Sequence, residues 1–76
     1  MIDMMGYGTI FQERLRALRK ETGETQAQAA TAINIGESHY QKFELGSNLP
    51  NFINLIALAD HFDVSLDYLT GRTDER

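Results

Sequence analysis

The chain contains no cysteine and no tryptophan, so neither a disulfide nor a thiolate-bound metal can hold it together, and its stability has to come from packing. A cysteine-free chain suits a reducing compartment, and a cytoplasmic location is expected. No apolar run approaches the roughly 18 residues that a membrane span requires. The opening MIDMMGYGT contains Asp3 and has neither the basic segment nor the continuous apolar segment of a secretory signal. Strand-like alternation, internal repeats and low-complexity runs are also missing. There is one proline, Pro50, and no Lys or Arg between positions 47 and 71.

What is present fits one small helical core. A chain of 76 residues that is 42% hydrophobic has the length for a single domain and not for two. The net charge of −4 weighs against a polyanionic partner, but the charge is unevenly spread. Residues 10 to 22 carry Arg14, Arg16, Arg19 and Lys20 against Glu13 and Glu21, whereas residues 47 to 71 carry Asp60, Asp63 and Asp67 alone. Such a dipolar domain can turn its basic side to a polyanion, or the charges can be ordinary solvated helix faces.

Apolar periodicity and end signals predict five helices. Phe11, Leu15, Leu18 and Thr22 share one helical face, with Thr9 as the expected N-cap and Gly23 as the stop. Residues 1–9 are expected to be a mobile arm. Thr25 and Gln28 have the spacing of a capping box, and Ala29, Ala30 and Ile33 make a small inward face that lets another helix cross closely. Asn34 tolerates the left-handed turn that follows. Gly36 is the expected cap of a third helix, in which Tyr40 and Phe43 point inward, the Tyr40 hydroxyl lies at the rim, and Glu37, Ser38, His39, Gln41 and Lys42 face outward. Gly46 ends it.

After the proline loop, Asn51 is expected to cap a fourth helix with Phe52, Leu55, Ile56 and Ala59 inward. Ile53 and Leu58 widen its apolar arc, which predicts a central helix. Ser65 caps a last helix in which Leu66 and Leu69 face inward, and Gly71 stops it. Residues 72–76 are expected to fray. The reading is all-α: a helical domain over 10–71 between an arm at 1–9 and a tail at 72–76.

Catalytic chemistry finds no support in these residues. Asp60, His61 and Asp67 lack the paired histidines or cysteine ligands of a metal site, and no H-E-x-x-H motif is present. His61 reads as a partner for a helix C-terminus or a surface group. No cofactor, small-molecule ligand or membrane partner is expected.

The stretches FQERLRALRKETGETQ, FELGSNLPNFINLIALAD and FDVSLDYLTG, together with the two helices between them, resemble the Xre/Cro-like helix-turn-helix domains of bacterial and phage repressors. The likeness runs from 10 to 71 nearly without gaps. It implies a lambda-repressor-like five-helix fold and sequence-specific binding of double-stranded DNA. The helix from about Glu37 to Leu45 would lie in the major groove. Base contacts would come from Glu37, Ser38, His39, Gln41 and Lys42, and phosphate contacts from Gln26, Arg16 and Lys20. Arg19 would pair with Glu44, tying the first helix to the third.

Chemistry suggests Lys42 for guanine, Glu37 for cytosine N4 and Gln41 for adenine, each good bidentate pair discriminating by about 1 to 3 kcal/mol. Three departures from the family pattern thin the backbone contacts. Glu37 carries a negative charge, Gly36 lacks the usual hydroxyl, and the loop 47–51 lacks basic residues. Specificity in this family calls for a homodimer reading two half-sites, with Ile53, Tyr68 and the arm from Ile2 to Tyr7 as exposed apolar candidates for the contact. No effector domain is expected after residue 76, so control would act through concentration, a partner or a modified oligomeric state. The acidic surface leaves a second reading open, a protein-interaction module of the same fold, such as an antitoxin or a regulator of another repressor.

Overall fold

In the computed structural model, which describes residues 6–76, the chain forms α1 (Tyr7–Glu21), α2 (Gln26–Ala32), α3 (Glu37–Leu45), α4 (Phe52–His61) and α5 (Leu66–Thr70). No strand occurs among the described residues. All five helices end in the same way. Gly23, Asn34, Gly46, Asp63 and Gly71 take positive φ. The next amide donates to the carbonyl five residues back: Glu24 to Arg19, Ile35 to Ala30, Ser47 to Lys42, Val64 to Ala59 and Arg72 to Asp67. This bond satisfies a carbonyl that the helix leaves without a partner, and it turns the chain sharply. Asn34 and Asp63 do without glycine because their short polar side chains tolerate the left-handed region.

Three of the four connections then start the next helix at once. The N-cap follows the left-handed residue by two positions at Gly23 and Thr25, Asn34 and Gly36, and Asp63 and Ser65. Thr25 and Gln28 form the full capping box, with the Gln28 N–H donating to Thr25 Oγ1 at 3.1 Å and the Thr25 N–H donating to Gln28 Oε1 at 2.8 Å. Asn51 and Ser65 accept from the backbone amides of Asn54 and Tyr68.

The start of α1 differs from expectation. Gly6, not Thr9, holds the N-cap position, and its carbonyl accepts from the Ile10 amide. Residues 7–9 therefore extend the helix rather than belonging to an arm. Gly8 and Thr9 fall in the first turn, whose amides need no intrahelical partner, so weak helix formers are tolerated there. The remainder of the expected arm, 1–5, lies outside the described residues.

The core gathers Phe11, Leu15 and Leu18 from α1, Ala29 and Ala30 from α2, and Ile33 from the turn after it. Tyr40 and Phe43 of α3, Leu58 and Ala59 of α4, Phe62 just beyond it, and Leu69 of α5 complete it. Fully burying a large apolar side chain contributes about 1.5 to 3 kcal/mol. Thr22, placed on the inward face by periodicity, is exposed because it lies at the end of α1, where the chain turns away.

The central role expected for α4 also needs correction. Only its second half joins the core: Leu55 and Ile56 are half-buried, while Phe52 and Ile53 are each 69% exposed. The helix packs on α5, and its first turn projects beyond that contact. Leu66, expected inward, is 37% exposed.

The tail does not fray. The Ser65 amide donates to the Arg76 carbonyl at 2.9 Å, and the Arg76 guanidinium grips both carboxylate oxygens of Glu21. Arg14 reaches the carbonyls of Tyr68 and Thr73 and pairs with Asp74 at 2.7 Å. Sequence patterning has no means of finding these contacts, since Arg14 and Asp74 lie 60 positions apart.

Candidate nucleic-acid interface

The second half of the α2–turn–α3 unit carries the outward row. Tyr40 and Phe43 anchor α3 in the core with no exposed surface, which fixes the rotation of the helix about its axis and sets Glu37, Ser38, His39 and Lys42 outward. Gln41 is half-buried, and its amide donates to Glu37 Oε2 at 3.3 Å. This is an (i, i+4) pair on one helix face. It occupies one donor of Gln41 that the adenine contact envisaged from sequence would use. His39 rests its ring on Phe43 with centroids 4.9 Å apart.

Beneath this row lies one buried charge. Glu44, in the last turn of α3, is 2% exposed. Arg19 Nε donates to its Oε2 at 2.6 Å and Arg19 Nη2 to its Oε1 at 3.1 Å, so the pair implied by the resemblance is a two-point contact between α1 and α3. Gln26 Nε2 donates to Oε1 at 3.2 Å. Arg16 lies 3.8 Å from the same carboxylate and donates to the Glu44 backbone carbonyl at 3.1 Å. Burial by itself would raise the pKa of Glu44, but the bonds from Arg19 and Gln26 and the nearby Tyr40 hydroxyl outweigh it and hold the group below the usual carboxylate range. The Arg19 guanidinium is correspondingly stabilised in its charged form, chiefly by its bond to Glu44.

The Tyr40 hydroxyl is fully buried rather than at the rim, because the ring sits wholly beneath α3. It feels the carboxylate without an aligned hydrogen bond. Burial first, and the Glu44 charge second, push its pKa up.

The residues assigned to phosphate are therefore not equivalent. Gln26 and Arg16 are already engaged on Glu44, although 48% of the Arg16 side chain is exposed, while Lys20 is exposed on α1. A further contact lay beyond the reach of sequence patterning. His61 Nε2 meets the Glu24 carboxylate at 2.8 Å, joining the end of α4 to the corner before α2. Tyr68, considered from sequence as an exposed dimer contact, is instead half-buried under Arg14, whose guanidinium carbon lies 4.2 Å from the ring centroid. Among the described residues no cluster of His, Asp or Glu can hold a metal, and no helix is long and apolar enough to cross a membrane.

A helix-turn-helix family model matches residues 15–69. The chain belongs to the helix-turn-helix family. This helix-turn-helix domain is 46% identical over 66 residues to the cryptic phage CTXphi transcriptional repressor RstR of Vibrio cholerae, a match covering 84% of the chain and 59% of that protein. It is 41% identical over 66 residues to the uncharacterized HTH-type transcriptional regulator YobD of Bacillus subtilis, covering 87% and 59%. The chain thus spans 59% of the length of these curated relatives. Among solved structures it is similar to the P22 c2 repressor protein crystallised in complex with synthetic operator 9T. That match has a TM-score of 0.76 at 32% identity and covers 79% of this chain and 91% of that one. It is also similar to a transcriptional regulator from Listeria innocua, with a TM-score of 0.77 at 33% identity, covering 87% and 62%. The fold is lambda-repressor-like.

Proposed function

We propose that this domain binds double-stranded DNA with sequence preference, as the reading head of a repressor-like transcriptional regulator. The observation that carries the proposal is the exposed row on α3, set outward by Tyr40 and Phe43 in a fold similar to that of an operator-bound repressor. In this reading α3 enters the major groove, with Ser38, Lys42 and His39 reaching bases beside the Glu37–Gln41 pair. Gln26, Arg16 and Lys20 meet phosphates. Two copies read a two-fold symmetric site, and no catalytic step is part of the proposal.

Selection from random duplexes with the purified protein tests it. The expected result is an enriched, two-fold symmetric site whose affinity falls as salt rises, and falls by about tenfold or more with Lys42→Ala. Failure to enrich any site, together with indifference to Ser38→Ala and Lys42→Ala, would leave the fold serving a protein partner instead.

A further inference from the structure

Glu44 does more than neutralise Arg19. Its Oε1 takes a hydrogen from Gln26 Nε2 at 3.2 Å, and Gln26 is the first residue of α2, half-buried at the edge of the face presented by α3. We propose that Glu44 is a positioning residue for DNA contact, holding the Gln26 amide in one orientation before DNA arrives. The inference rests on the DNA-binding reading above.

The chemistry of the two groups supports this. An ionised carboxylate only accepts, whereas a primary amide has a donor end with two hydrogens and an acceptor end. Turning the amide over would set its oxygen against Glu44 Oε1, two acceptors face to face in a buried setting where repulsion is strong. Glu44 therefore selects the orientation with nitrogen inward. Only one amide hydrogen is used there, so the second remains for an acceptor such as a phosphate oxygen. Arg19 is essential to the arrangement, because its two bonds keep the 2%-exposed carboxylate charged and so purely accepting. A neutral glutamine at position 44 fills similar space but has a single acceptor oxygen for which Arg19 and Gln26 compete, so the hold on Gln26 is weakened. An unheld glutamine also has to give up its rotamer freedom on binding.

The test is a double-mutant cycle on affinity for the selected duplex, using wild type, Gln26→Ala, Glu44→Gln and the double variant. Gln26→Ala is expected to cost about tenfold in the wild-type background and less than about twofold in the Glu44→Gln background. Equal costs in both backgrounds, or no cost in wild type, would overturn the inference while leaving DNA binding intact. Absence of salt-dependent duplex binding by the wild type would overturn both. A second measurement needs no variant at position 44. In the free protein the Gln26 side-chain amide should show an NMR order parameter near the rigid-backbone value of about 0.85, well above that of the exposed Asn48 side-chain amide. Equal mobility of the two amides would overturn the proposal.

Discussion

The Arg14 guanidinium lies 4.2 Å from the centre of the Tyr68 ring while donating to the Tyr68 carbonyl. One side chain of α1 thus covers the ring and satisfies the backbone of a residue 54 positions away. It also reaches Thr73 and Asp74 and so fastens the tail.

Arg14→Ala should destabilise the domain by about 2 to 4 kcal/mol, the sum of a partly desolvated cation–π contact and hydrogen bonds from a charged donor. Arg14→Lys should recover little of this, because an ammonium cannot lie flat on the ring and reach two carbonyls at once. Denaturant titration of the three proteins checks the order. Full recovery by lysine would show that only the charge matters.

Glu44→Ala should also be damaging. It leaves Arg19, whose side chain is 15% exposed, without its partner, and breaking a buried ion pair by removing one member costs about 3 kcal/mol or more. In a domain of this size that corresponds to a fall in Tm of roughly 12 °C or more. An unchanged thermal transition would dispose of the structural role of the pair.

The carboxylates set the acid limit. Glu44 is held below the usual carboxylate range, as is Glu24, where the Thr22 hydroxyl and His61 outweigh the opposing effect of burial. Their folded-state pKa values are lower than their unfolded ones. The stability they supply is therefore fully present above the unfolded value and is lost as pH falls through the folded values. The denaturant midpoint should hold near neutrality and drop progressively below about pH 4.5. Glu24→Gln should flatten part of that drop, and an identical acid profile in this variant would remove Glu24 from the account.

Glu37 should act on selectivity more than on strength. Its carboxylate faces outward at the start of α3, where approaching phosphates oppose it. Glu37→Gln should raise affinity for random duplex several-fold while weakening, by about 1 to 3 kcal/mol, discrimination at any base pair Glu37 meets in the proposed complex. Competition between selected and random duplexes at two salt concentrations measures both effects. A variant that gains equally on both duplexes would place Glu37 away from base edges.

Local signals read the helices well because each is bounded by its own chemistry: Thr25 with Gln28, Asn51 and Ser65 as caps, and the left-handed residues as stops. Apolar spacing likewise gave Leu15, Tyr40, Phe43 and Leu69. It misjudged Phe52 and Leu66, since periodicity reports which face of a helix is apolar and not whether a neighbour covers it. The outward row on α3 was legible for the same reason that its anchors were. What happens between those side chains was not. That Gln26 leans on Glu44 and that His61 finds Glu24 depend on how α2 meets α3 and how α4 meets the corner before α2. No local pattern encodes those meetings.

The repeated corner has a consequence for how such a domain can vary in length. At three connections the left-handed residue and the next N-cap are two positions apart, so an inserted residue would swing the following helix off its packing face. The connection from Gly46 to Asn51 is different, with four residues between stop and cap. Insertions and deletions are best absorbed there. Because that loop adjoins the end of α3, a change in its length would alter what flanks α3 without moving the helix itself.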